Sequence, residues 1–151
     1  MPAHLGPVLP MIVLLVRHAR AGERSEWEGD DRLRPLDKKG RRRSEGLVAL
    51  LEDYPIDRIL SSPYVRCTQT VEPLAEARGL PLGGADELAE GREREDVLRL
   101  LSSLEAECVV LCTHGDVVVE VLGEEMKKGE TEVLDFEAGV LRPLRRLPRP
   151  R

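Results

Sequence analysis

Two short apolar runs, each leading directly to a histidine, dominate the pattern of hydrophobic and polar positions. Residues 12–16 read IVLLV, a continuous and largely branched run of the kind expected of a strand covered on both faces. It breaks into Arg17-His18-Ala19-Arg20-Ala21-Gly22 and a polar loop reaching about Pro35. Residues 107–112 form the second strong run and lead through Thr113 to His114-Gly115-Asp116. Between them, Asp37 is placed to cap a helix over 38–52, with Leu47, Leu50, Leu51 and Val48 as the inward stripe. Arg41, Arg42 and Arg43 are expected to face water, and Pro55 stops the helix. Residues 56–61 predict a short strand. Ser62-Pro63 then reads as a hydroxyl cap followed by proline at the first helical position, with the helix running to Arg78 and ending at Gly79. Val71, Leu74 and Ala75 can face the core, and Arg66 falls in the first turn.

Further along, a short strand is expected around Leu82, a helix over 94–104 and another over 117–122 that ends at Gly123. Residues 131–136 and 140–144 predict a hairpin around Ala138-Gly139. Strands alternating with helices predict an α/β fold, with a mostly parallel central sheet and helices on both faces. Ligands of such folds collect beyond the carboxyl ends of the strands. His18, His114 and the segment carrying Arg66 all follow strands, so the predicted topology gives them one neighbourhood.

Composition narrows the class. At 151 residues the chain fits one domain, expected over 11–145, with residues 1–10 as a flexible leader and 146–151 as a basic tail. Aromatics make up only 3%, so Leu and Val must build the core. A formal charge of -5 offers no general attraction to a nucleic-acid polymer or an anionic membrane. No apolar run reaches the length needed to span a bilayer, and the start lacks a signal-peptide pattern. The three cysteines, Cys67, Cys108 and Cys112, give neither a disulfide framework nor zinc spacing. A cytoplasmic enzyme with no metal and no cofactor is the expectation. The tail arginines Arg142, Arg145, Arg146, Arg149 and Arg151 could touch a nucleotide or acidic partner, or simply keep the end soluble.

Two histidines and two arginines delivered by strand ends and helix starts are suited to a phosphoryl group. Arginine's planar fork meets two phosphoryl oxygens at once, which makes Arg17 and Arg66 candidate clamps. Neutral imidazole is nucleophilic near pH 7 and can form a covalent phosphoryl intermediate. One histidine could attack while the other donates to the phosphoryl oxygens. Asp116 could supply a proton or merely cap a helix.

The segments LVRHARAG, SSPYVRCTQT and CTHGD together resemble the histidine phosphatase superfamily, also called phosphoglycerate mutase-like. RHARAG resembles its SixA-type phosphohistidine phosphatases, and GDDRLRPLDKKGRRRSEG is also similar to the phosphatase-like second domain of some Nudix hydrolases. The resemblance covers about residues 12–123. It implies that His18 is the covalent nucleophile and that Arg17, Arg66 and His114 form the phosphate pocket. Ala19 stands where the family often has glycine. The family's acid region maps to residues 85–91, with Glu87 preferred as proton donor and Glu90 as the alternative; both could also be plain surface charge. Gly40 fits the family's helix-start pattern, where absent bulk permits close backbone packing. The implied function is hydrolysis of a phosphomonoester or phosphohistidine, on a phosphorylated small molecule or protein. A nucleotide or small-metabolite phosphatase and a non-catalytic phosphate-recognition domain are the alternatives.

Overall fold

The computed structural model describes residues 10–151. The expected leader, residues 1–10, lies outside them except for Pro10. Strand β1 (Met11–Arg17) leads into a long loop and helix α1 (Lys38–Leu50). Then come β2 (Arg58–Ser61), α2 (Val65–Arg78), β3 (Leu82–Gly84), α3 (Arg94–Ser102), β4 (Cys108–Thr113) and α4 (Gly115–Leu122). The hairpin strands β5 (Thr131–Glu137) and β6 (Val140–Leu147) close the order.

The six strands form one sheet in the order β3-β2-β4-β1-β5-β6. The first four run parallel, β5 runs antiparallel to β1, and β6 runs antiparallel to β5. The sheet is the mostly parallel one that alternating strands and helices predicted.

Why β1 and β4 read as unbroken apolar runs is plain from their neighbours. Val13, Leu15, Val109 and Leu111 pack on one face with Val97 and Leu101 of α3 and Val117 and Val118 of α4. The alternate residues Leu14, Val16, Val110 and Cys112 pack on the other face with Leu47 of α1 and Val71 and Leu74 of α2. With a core on each side, polar residues appear only at the carboxyl ends of these strands, at Arg17 and Thr113.

Local chemistry sets the element ends. Asp37 accepts a hydrogen bond from the Gly40 amide at 2.8 Å and so caps α1 as predicted. Gly79 and Gly123 end α2 and α4 with φ of 64° and 75°. Gly40 lies so close to the Arg20 carbonyl that a Cβ there would overlap it, which locks the loop after β1 onto α1.

Three local expectations are corrected. Helix α2 starts at Val65, not at Ser62-Pro63: the Ser62 hydroxyl, 2.8 Å from His114, accepts only from the Tyr64 amide at 3.3 Å, ahead of the helix. Arg43 is buried, not solvated, because it lies under the segment bearing Gly129 and Arg149. Strand β6 continues past Leu144 to Leu147, held by Arg146, which bonds Glu132 of β5 at 2.6 Å.

Candidate active site

The carboxyl ends of β1, β4 and β2 are consecutive in the sheet, and three expected site residues follow them at once. His18 comes one residue after β1, and its amide donates to the Thr113 carbonyl at the end of β4. His114 comes one residue after β4 and stands at the N-terminus of α4. Arg66 is the second residue of α2, four positions beyond the Ser62 amide that donates to Cys112. The result is two imidazoles with ring centroids 5.5 Å apart, nearly edge to face.

His18 is 6% exposed. Its Nδ1 lies 2.8 Å from the Ala19 carbonyl oxygen, which can only accept. Nδ1 therefore carries the proton, and the lone pair of the neutral ring sits on Nε2. Burial, reinforced by the neighbouring His114, Arg66 and Arg17, lowers the His18 pKa from 6.5 to about 3, against the opposing pull of the Ala19 carbonyl. At neutral pH this is an unprotonated imidazole in a fixed tautomer.

Arg17 points beneath the start of α4. Its Nη1 donates to the Met126 carbonyl at 2.6 Å, and a Cβ on Gly115 would fall 2.8 Å from its Cζ. Glycine after His114 is thus what lets the guanidinium lie there. Burial lowers the Arg17 pKa, while Glu125 and Asp116 pull the other way.

Arg66 is fully buried. It donates to the Asp31 carbonyl at 2.8 Å and carboxylate at 3.0 Å, and to Glu90 Oε2 at 3.1 Å. Neither Arg17 Nε nor Arg66 Nε has a hydrogen-bond partner among the described residues.

A cavity of about 780 Å³ opens at this point, lined by Arg17, His18, His114, Glu90, Asp116 and Lys128 among others. Arg66 does not line it; it stands just behind, under Asp31 and Glu90.

Glu87, the preferred acid, does not line this cavity. Glu87 lies in the short turn Asp86–Leu88, whose Leu88 is anchored in the core, and its side chain lines a separate cavity with Arg58 and Arg92. Glu90, the alternative, is the carboxylate at the site: its Oε2 is 2.7 Å from Arg24, 3.1 Å from Arg66 and 3.8 Å from His114 Nδ1. Asp116 also faces the cavity, where it accepts from the Gly91 amide at 2.7 Å.

Other contributors had no signal in spacing. Asp31 bridges Arg66 and Arg34. Thr70 accepts from the Ala19 amide at 3.0 Å and so ties the loop beyond His18 to α2. Tyr64 packs its ring edge-on to His114 at 4.6 Å, with the Arg66 guanidinium 4.9 Å from the ring centre. Cys67 Sγ lies 3.5 Å from His114 Nε2, on the same side as Ser62.

Residues 13–93 match the family model of the histidine phosphatase superfamily (branch 1). The chain belongs to this superfamily. That places it among phosphatase enzymes. An 8-oxo-(d)GTP phosphatase of Mycolicibacterium smegmatis is 51% identical over 70 residues, which are 46% of this chain but only 22% of that protein. Among solved structures, a SixA protein from Agrobacterium tumefaciens superimposes with a TM-score of 0.74 at 27% identity, covering 93% of this chain and 99% of its own. The protein histidine phosphatase SixA in complex with tungstate gives a TM-score of 0.77 at 24% identity, covering 91% and 96%. The histidine phosphatase fold and its SixA-type form are thus shared along nearly the whole chain. No helix among the described residues is long and apolar enough to cross a membrane.

Proposed function

We propose that the chain hydrolyses a phosphomonoester or phosphohistidine without a metal ion, through a covalent phosphoryl intermediate on His18. The observation that carries this reading is the tautomer: with Nδ1 committed to the Ala19 carbonyl, His18 presents an unprotonated Nε2 beside His114 and Arg17. In the first step Nε2 attacks phosphorus in line, the N–P bond forms and the bond to the leaving group breaks. The leaving oxygen or nitrogen takes a proton from Glu90, with Asp116 as the other carboxyl within the cavity. In the second step water attacks phosphorus, its proton passes to the carboxylate and the N–P bond breaks to free phosphate. Arg17 and His114 donate to the nonbridging oxygens, a role that strengthens where charge redistributes in the transition state. Arg66 joins them as its carboxylate partners give way to phosphate. The positive charge a metal would bring is supplied by the guanidiniums.

A nucleotide or other small metabolite is the second reading of the substrate, favoured by the relative that acts on 8-oxo-(d)GTP. The test is phosphate release from an aryl phosphate, a phosphohistidine protein, nucleotides and sugar phosphates in EDTA, with His18→Ala in parallel. Turnover by the native chain and none by a folded His18→Ala is expected. Phosphate binding without turnover would instead make this a recognition domain, and ordinary turnover by His18→Ala would remove the nucleophile assignment.

A further inference from the structure

Beside the phosphate cavity lies a second, smaller one of about 230 Å³, lined by Trp27, Pro35, Leu36, Glu23 and Glu26 among others. The two are not separate places. Gly22, Glu23 and Arg34 line both, so a molecule held at His18 can extend past Arg34 without leaving the surface.

Trp27 is the single tryptophan of the chain. It stands in the loop between β1 and α1, just after the turn Arg24–Glu26, and remains 37% exposed. Its indole Nε1–H donates to the Asp30 carbonyl at 2.9 Å, which fixes the ring. Arg34, at the junction, is equally fixed: it is 6% exposed and bonds Asp31 at 2.9 Å and the Ala21 carbonyl at 2.7 Å. A large aromatic side chain that is held yet uncovered offers a platform for a flat ring. Carboxylates at its margin accept N–H groups on the edge of such a ring. A phosphate site and an aromatic platform joined by one floor match a molecule with phosphate at one end and a heteroaromatic base at the other.

We propose that the Trp27 cavity is the base subsite of a nucleotide substrate, the base stacking on the indole while the phosphate lies against His18. This rests on the reading of the His18 centre as the phosphate site and names the substrate class that centre would take. A base with N–H donors on its edge, guanine among the common ones, suits Glu23 and Glu26 best.

Because Trp27 is the only tryptophan, its fluorescence reports on this cavity alone. Titration of the full chain and of His18→Ala with guanosine 5′-monophosphate should quench the emission, while ribose 5-phosphate and inorganic phosphate leave it unchanged. In steady-state kinetics, Trp27→Leu should lower kcat/KM for the nucleotide relative to glycerol 2-phosphate by about tenfold, carried in KM, since each stacked base contributes that order of affinity. Trp27→Phe should recover most of the loss. Quenching without hydrolysis of any ester would count against the His18 chemistry and still support the base subsite. Hydrolysis of glycerol 2-phosphate with no quenching by any nucleotide and an unchanged substrate ratio in Trp27→Leu would overturn the subsite. Quenching by a phosphohistidine peptide but by no nucleotide would overturn it as well.

Discussion

Gly115 makes a prediction in which activity and stability part company. In Gly115→Ala the new methyl would stand 2.8 Å from Arg17 Cζ and Nη2 and 2.9 Å from Nε. Carbon contacts are comfortable at about 3.5–4.0 Å, so the guanidinium must retreat by roughly half an ångström or more. The obstructed atoms belong to the end of a flexible side chain, so the helix itself need not move. At this first helical position alanine gains only a fraction of the roughly 1 kcal/mol that separates it from glycine in a helix interior. The expected melting temperature is therefore close to that of the native chain. Catalysis has no such tolerance. The retreat strains the 2.6 Å bond to Met126 and pulls the proposed phosphate clamp off its position. A misplacement of about 1 Å can cost a hundredfold, so a loss of roughly tenfold or more in kcat/KM is expected. The assay is phosphate release from an aryl phosphate, paired with thermal unfolding followed by circular dichroism. A kcat/KM within twofold of the native value, in a normally folded variant, would refute the placement of Arg17 against phosphate.

The remaining predictions use the same geometry. Glu90→Gln should reduce kcat by about a hundredfold or more on an ester with a poor leaving group, whereas Glu87→Gln should stay within twofold; equal losses in steady-state assays would return Glu87 to contention. The lowered His18 pKa also predicts a stability slope. The unfolded chain takes up a proton near pH 6.5, while the folded chain resists until about pH 3, so stability is full above 6.5 and falls progressively between those values. Urea titrations of the native chain and His18→Ala from pH 7 to 4 should show a shallower loss in the variant, and parallel curves would contradict the buried neutral imidazole. Finally, Ala138 has φ of 52° ahead of Gly139 at 79°, both left-handed, as a tight hairpin turn requires. Ala138→Asn relieves that strain and should stabilise by on the order of 1 kcal/mol in denaturant unfolding, and a destabilised variant would contradict it.

What the sequence revealed follows its physics closely. The runs at β1 and β4 are legible because strands between two helical layers stay apolar up to their carboxyl ends, and the hairpin because Ala138-Gly139 interrupts two strand-like stretches. His18, His114 and Arg17 come together at one cavity because parallel neighbours bring their carboxyl ends to one edge, a matter of topology that alternating elements already imply. Arg66 lies beside them but under Asp31 and Glu90, a covering set by the long loop after β1, whose path no periodicity encodes. The same limit explains Glu87. In an acidic stretch without period, only the burial of Leu88 decides which glutamate turns towards Arg66 and His114. Ser62 is subject to the same limit: its hydroxyl suits a helix cap, but the fold sets it against His114, 52 positions later.

The central claim, a phosphoryl group carried by His18, is tested most directly by rapid quench into alkali, where phosphohistidine survives, followed by peptide mass analysis. During turnover of an aryl phosphate, the peptide containing His18 should gain the mass of one phosphoryl group within the first turnover and lose it as substrate is consumed, and His18→Ala should gain none. Rapid turnover with no phosphorylated His18 peptide at any quench time, or the adduct on His114 instead, would contradict the account.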